Sequence, residues 1–449
     1  MKRILILLAL STFGALFQAH AQDSIWTLSK CIEHAQINNL SIKLDELDAR
    51  AANMIYQSSK YSHIPSLNLS SNYGTSFGRS IDPTTNQFEN TKFSSLGLSA
   101  GSSVLLFGWF QKKYAIQSNE LKYKIAQESM EQLKNDLVLN VATAYLRALL
   151  AQEQITNVLY QIEVSTENQI RIEKLTVAGR SNILELSQAK TQFYNDKGIY
   201  LEALLNYEQS LIDLKVILNI DLQQKIVPIA NLNENLFLSV EEIDPEAIYK
   251  SALTFMHSIK SSTYNLQVAE KDIQLAKAKE LPQLSLYFSS GTNYSSSYYE
   301  VLASGERQLI SLGKQFNNNL SHSFGLGLNI PVFNNFSSRD AIRSAKISVE
   351  KAKIIDQENR QKLKQEIYKS CIEYKRTLQQ YNSSLSALEN AGIALKAATI
   401  RHEKGFISYF EYLTEKNNFL KIQNENTALK YDLQFKKITI KYFQGISVI

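Results

Sequence analysis

Side chains able to do chemistry are present in this chain, but their spacing is not that of a catalytic site. His34, His63, His257, His322 and His402 fall in segments of different type, with no H-x-x-x-H or H-E-x-x-H pairing. The stretch GLGLNI at 325–330 opens like a dinucleotide loop but lacks the third glycine and alternates like a strand. AGRSNILE at 178–185 lacks the G-K-S/T that cradles phosphate. Cys31 and Cys371 are too few for a disulfide framework and read as spare buried thiols. Two carboxylates are notable by position: Glu185 and Glu411 each follow a glycine, Gly179 and Gly405, by six residues. The expectation is a protein that is not an enzyme and needs no cofactor and no metal.

Those glycines belong to a repeat. An offset of 226 carries Gly101 onto Gly327, Phe107 onto Phe333, Phe110 onto Phe336, Gly179 onto Gly405 and Lys215 onto Lys441. Upstream, an offset of 217 carries Ser41-Ile42-Lys43 onto Ser258-Ile259-Lys260, Pro65 onto Pro282 and Gly74 onto Gly291. The nine-residue difference marks a surface loop between Gly74 and Gly101 or between Gly291 and Gly327. The chain is therefore two tandem copies, residues 22–220 and 246–449, joined by a linker at 221–245.

Within each copy the periodicity changes twice. Leu28 to about Tyr61 reads as helix. Residues 65–73 and 96–107 then alternate, with Leu67, Leu69, Tyr73, Leu96, Leu98 and Ala100 on one side and Asn, Ser and Gly on the other. The second copy repeats this at 282–290 and 323–333. From Gln111 the period becomes helical: Leu133, Leu137, Val141, Ala144 and Ala148 lead a stripe spaced by about 3.6 residues. Proline is absent from 84–227 and from 332–449, so helices of 67 residues fit at 111–177 and 337–403, each roughly 100 Å long. Gly179 and Gly405 end those helices in the left-handed conformation, and Ser181 or Asn182 caps the return helix.

Met1-Lys2-Arg3, an apolar run from Ile4 to Phe17 and Ala19-His20-Ala21 read as a cleaved export signal over residues 1–21. No cysteine directly follows the apolar run, which argues against a lipid anchor. The formal charge is +5, or +3 without Lys2 and Arg3, and such near-neutrality argues against a phosphate-driven nucleic-acid binder. For an exported chain, strands with one apolar and one small polar face fit a membrane barrel wet inside, although a soluble antiparallel sheet has the same pattern. Trp109, Phe110, Phe333 and Phe336 at one set of strand ends fit an interface belt, with Tyr73, Phe93, Tyr294 and Phe324 toward the other. Four strands cannot close a barrel without open edges in hydrocarbon, so two or three chains must share one of eight or twelve strands.

The order of helix, P-x-L-x-L strand, loop, strand, long helix, glycine tip and return helix, all twice, resembles the TolC-like outer-membrane efflux channels. SVLLFGWFQKKYAIQSNELKYKIAQ and NIPVFNNFSSRDAIRSAKISVEKAK resemble the family's strand-to-helix passages, and WTLSKCIEHAQINNLSIK its first helix. The resemblance implies a mixed, mainly α membrane protein: a homotrimer with a twelve-stranded outer-membrane barrel, four strands per chain, continuing into a long α-helical barrel across the periplasm. It implies contact with outer-membrane lipid, a periplasmic adaptor and an inner-membrane pump of the resistance-nodulation-division or ATP-driven type. It implies also that Glu411 and Glu185 line the periplasmic aperture, although Thr414 stands where many members place a further acid. Gly179, Arg180, Ser181, Gly405, Phe406 and Ile407 are the expected adaptor contacts, and Ile407 replaces a latching arginine. The loop around Thr84–Thr85 is expected on the cell surface. The rival, a periplasmic adaptor or scaffold without a barrel, would have one hairpin between two β halves rather than two hairpins.

Overall fold

The structure is a computed structural model that describes residues 25–81, 86–229 and 243–446. The expected export signal, the loop at Thr84–Thr85 and residues 230–242 of the linker lie outside the described residues. In chain order the elements are β1 (Ile25–Trp26), α1 (Leu28–Asn38), α2 (Leu40–Tyr61), β2 (Ser66–Ile81), β3 (Phe88–Phe107), α3 (Gln111–Val177) and α4 (Ile183–Leu218). Then follow β4 (Val227–Pro228), α5 (Pro245–Phe255), α6 (His257–Lys279), β5 (Gln283–Ser295), β6 (Tyr299–Val301) and β7 (Arg307–Leu309). The chain closes with α7 (Leu312–Asn318), β8 (Ser321–Asn329), α8 (Ser337–Glu403) and α9 (Tyr409–Gln444). Helices α3 and α8 each have 67 residues, at the boundaries that proline-free helical periodicity predicts.

Where one opening helix was expected, the structure has two, broken at Asn39. Asn39 is extended, and its side-chain oxygen accepts from Ser41 N at 2.9 Å, so it restarts the helix. Met256 makes the same break in the second copy, at the 217 offset.

The chain divides into two compact units. One comprises residues 48–126 and 261–356 and holds an antiparallel four-stranded sheet in the order β2-β3-β5-β8. Its strands exceed the expected segments: β2 has 16 residues and β3 has 20, paired from Ser66↔Ser103 to Ile81↔Phe88. By contrast β8 stops at Asn329 rather than 333, because Pro331 cannot donate to a ladder and holds the residue before it extended. The length difference between the copies resolves as an insertion in the second: residues 296–320 carry β6, β7 and α7 between β5 and β8. Gln315, fully buried, ties it down through Ser295 N and the carbonyls of Ser295 and Ile310 at 2.7–3.0 Å.

The other unit comprises the described residues up to 47 together with 127–260 and 357–446. Its apolar contacts repeat. In the first copy α1 packs Cys31, Ile32 and Ala35 against Val141, Tyr145, Leu214 and Leu218 of α3 and α4. In the second, Ile248 and Ala252 of α5 pack against Ile367, Cys371 and Phe443 of α8 and α9. The two cysteines thus lie in different clusters and are both free thiols. Burial pushes the Cys31 thiol up to about 12, so it is inert.

Candidate functional site

The sheet sorts its side chains by register. On one face lie Leu67, Leu69, Tyr73, Leu96, Leu98, Val104, Leu284, Leu286, Phe288, Phe324, Leu326 and Leu328. The other face presents Ser66, Asn68, Ser70, Asn72, Gly97, Ser99, Gly101, Ser289, Asn293 and Gly325. Tyr287 is a large residue on that polar side, as is Leu105, which pairs with Ser285. The Tyr287 ring lies over Gly325, where an added Cβ would come within 2.5 Å of the phenol oxygen. Cross-strand pairing puts Tyr73, Leu96 and Tyr294 in one row. From that row to Phe107, β3 has twelve residues, about 40 Å of strand, or roughly 28 Å at a 45° tilt, which matches a hydrocarbon core.

Two expected belt residues are placed otherwise. Phe93 pairs with Ser76 and so falls on the polar face, because the alternation of β3 continues unbroken past Leu96. Phe324 pairs with Phe288 in the middle of the apolar face rather than at its edge.

Trp109 and Phe110 sit with φ of 52° and 64°, and Asn335 and Phe336 with 53° and 62°. Each pair forms a turn closed by an i→i+3 bond, Gln111 N to Gly108 O at 3.0 Å and Ser337 N to Asn334 O at 3.1 Å. A left-handed residue costs about 1–2 kcal/mol, so both copies carry the same strain where strand becomes helix. The turn gathers Phe107 with Trp109 at 5.4 Å and Phe333 with Phe336 at 5.4 Å between ring centroids, all four exposed.

Both helical tips have one geometry. Arg180 N bonds Leu175 O and Gly179 N bonds Thr176 O; at the 226 offset Phe406 N bonds Arg401 O and Gly405 N bonds His402 O, at 2.8–3.0 Å. This is the Schellman end of a helix. Gly179 and Gly405 have φ of +69° and +79°, and an added Cβ at either would meet nothing, so glycine is needed for conformation rather than for space. Of the two capping candidates the structure takes Asn182, which accepts from Glu185 N at 2.8 Å. Ser181 instead donates to the Glu185 carboxylate. At the second tip Ser408 and Glu411 form a capping box, with Glu411 N on Ser408 Oγ at 3.2 Å and Ser408 N on Glu411 Oε2 at 2.9 Å. Both glutamates therefore have a local structural role whatever else they do. Thr414, exposed three residues beyond Glu411, donates to Phe410 O. Arg180 and Phe406 are exposed, whereas Ile407 packs into the cluster beneath the tips.

That cluster is where sequence reasoning fell short. Tyr409 and Tyr412 of α9 bury against Ile172 and Ala189 of the first hairpin, and His402 stacks on Tyr412 at 5.3 Å. Burial pushes the Tyr409 phenol up to about 12. Below it a charged pair is sealed in: Asp196 is fully buried, and Lys416 Nζ lies 4.0 Å from its Oδ2. Asp196 Oδ1 accepts from Gln161 at 2.5 Å and Gln192 at 2.7 Å, while Oδ2 has no hydrogen-bond partner. Burial holds the lysine below its ordinary value, opposed by Asp196. A signal was available: Tyr409, Tyr412, Lys416 and Leu420 follow helical spacing, as do Ala189, Asp196 and Ala203 at sevens, and each stripe carries one charge.

This arrangement offers no nucleophile, base or metal cage, and no group of three or more His, Cys, Asp or Glu side chains among the described residues could hold a metal. No helix among them is long and apolar enough to cross a membrane. What remains is a one-face-apolar sheet and two matched helical hairpins, and over these the family model "Outer membrane efflux protein" matches residues 31–219 and 248–442. The chain belongs to the outer membrane efflux protein family. It is an outer-membrane channel serving tripartite efflux with an adaptor and a pump, and it is not an enzyme. The adaptor reading is thereby set aside.

Among similar proteins, the "Probable outer membrane lipoprotein SilC" of Salmonella typhimurium is 22% identical over 428 residues, covering 93% of this chain and 87% of the relative. The "Cation efflux system protein CusC" of Escherichia coli K12 is 22% identical over 413 residues, 91% of this chain and 84% of the relative. The solved structure of the Campylobacter jejuni CmeC outer membrane channel superposes with a TM-score of 0.79 at 20% identity, over 93% of this chain and 85% of that one. In this efflux protein Cys31 is buried within α1.

Proposed function

We propose that three copies of this chain close one twelve-stranded barrel and conduct, without chemistry of their own, whatever an inner-membrane pump delivers through an adaptor docked at the tips. The observation that carries this is the four-stranded sheet: β2 and β8 are edge strands, with one face mainly apolar over a membrane's thickness and the other mainly Ser, Asn and Gly. An edge left open in lipid costs several kcal/mol per unpaired backbone group, so neighbouring copies must join β2 to β8. The efflux family and the CmeC-like fold favour three copies over two.

In this reading Glu411, with Glu185 and Thr414 nearby, faces the aperture, and three Glu411 carboxylates make its narrowest ring cation-preferring. Gly179, Arg180, Ser181, Gly405, Phe406 and Ile407 meet the adaptor directly or shape the surface it meets. Trp109, Phe110, Phe333 and Phe336 lie at the periplasmic membrane interface. The pump is of the resistance-nodulation-division or ATP-driven type. Relatives named for cation efflux make cations a cargo to test first. The two copies, residues 22–220 and 246–449, with their linker at 221–245, supply equivalent wall segments.

The test is the stoichiometry of the detergent-purified protein by light scattering and single-particle imaging, followed by conductance in planar bilayers. A three-fold particle that conducts supports the reading. A stable dimer would replace twelve strands by eight, and a non-conducting monomer would remove the barrel.

A further inference from the structure

We propose that the helix-bearing end of the sheet is a collar that binds anionic phospholipid headgroups of the leaflet it meets; this rests on the barrel reading above. Antiparallel order brings the starts of β2 and β5 and the ends of β3 and β8 to one end of the sheet, so all four helix–strand junctions share it. Those junctions carry six exposed cations: Lys60, Lys113, Lys277, Lys279, Arg339 and Arg343. Lys112 adds a seventh charge, half-buried, with its ammonium on Leu105 O at 2.8 Å. Against them stand Glu280 and Asp340, the latter 3.5 Å from Arg343.

The opposite end is different. There Lys314 pairs with Glu300 at 2.6 Å and Arg307 lies 3.9 Å from Glu89, so charges of both signs are interspersed. In a chain whose formal charge is only +5, the junctions hold a local excess of one sign.

Two of these cations occupy equivalent positions. Lys113 and Arg339 are related by the 226 offset, and each follows a left-handed aromatic, Phe110 or Phe336, by three residues. Lys113 lies 5.8 Å from the centroid of Phe110, and Arg339 5.3 Å from that of Phe336. Both copies keep the arrangement although Lys has become Arg, which preserves charge rather than shape. An aromatic ring settles at the glycerol level of a leaflet, while a cation on a flexible stem reaches the phosphate beside it. Continuity with the apolar face and the excess of positive charge both select a phosphodiester, and a net-negative headgroup over a zwitterionic one.

The experiment uses the protein reconstituted in phosphatidylcholine vesicles with a trace of spin-labelled phosphatidylglycerol or, separately, spin-labelled phosphatidylcholine. The motionally restricted lipid fraction is read by electron paramagnetic resonance. Phosphatidylglycerol should be enriched at the wild-type protein, and the enrichment should weaken as salt rises. It should be lost toward parity in the Lys113→Gln/Arg339→Gln variant and retained in Lys113→Arg/Arg339→Lys, which controls for folding. Equal association of the two lipids with wild type, or a preference unchanged in the neutral variant, would overturn the proposal. Displacement of labelled phosphatidylglycerol by soluble peptidoglycan fragments would hand the collar to the cell-wall polymer and overturn it too. A complete lack of restricted lipid of either kind would overturn the barrel reading itself, and this proposal with it.

Discussion

Replacing Lys416 by Met tests the buried pair between the two hairpins. The substitution keeps the length of the side chain and removes its charge. Asp196 is then left with two glutamine donors on Oδ1 and nothing on Oδ2. At 4.0 Å the lost attraction is about 4 kcal/mol for an effective dielectric near 20. Removing one partner of a buried pair costs about 3–5 kcal/mol in general, so the two routes agree. With an unfolding entropy of about 2 cal/mol/K per residue, roughly 0.9 kcal/mol/K for this chain, the expected drop in melting midpoint is about 3–5 °C. The assay is loss of helical circular dichroism on heating the detergent-purified protein, for Lys416→Met, Asp196→Asn and the double variant. The carboxamide introduced by Asp196→Asn can still accept from Gln161 or Gln192, so the double variant should recover most of the loss. If Lys416→Met melts with wild type, or if the two single effects simply add, the pair does not join the hairpins and the reasoning fails.

Gly179→Val with Gly405→Val forces a β-branched residue into the left-handed region at both tips, about 1–2 kcal/mol or more each, and should impair adaptor docking; unchanged efflux in a deletion strain would contradict the tip assignment. Glu411→Gln keeps a capping-box partner but removes the charge. Thermal stability should hold while cation preference, read as a reversal potential across a salt gradient, declines; unaltered selectivity would remove the carboxylate ring. Above pH 10 the protein should lose stability in proportion to its buried phenols. Tyr145 and Tyr409 are held near 12 against an ordinary 10.0, so their contribution is fully present below pH 10 and is lost as pH rises toward 12, roughly 3 kcal/mol each. The denaturant midpoint of the wild type should fall relative to that of Tyr409→Phe, which has no phenol to ionise, as pH rises through that window. An epitope inserted between Ser304 and Gly305, in the turn joining β6 to β7, should be labelled on intact cells, and labelling only after the outer membrane is opened would invert the topology.

What the amino-acid sequence determined by itself was everything governed by local periodicity. The two 67-residue helices, the glycine tips and the alternation of the strands follow from rules acting over a few residues: proline exclusion, helical spacing, left-handed glycine. The family follows from their order. The Asn39 and Met256 breaks were missed because an extended residue within a helical pattern leaves the pattern intact on both sides. Phe93 was misplaced because its face depends on how far β3 runs, and only pairing with β2 sets that length. Tertiary structure alone decided which charges are sealed inside. Asp196 and Lys416 are ordinary helix residues until two hairpins, far apart in sequence, press their stripes together and exclude water. It also decided that six cations from four distant junctions share one end of the sheet, since antiparallel order, and no short-range signal, brings those junctions together.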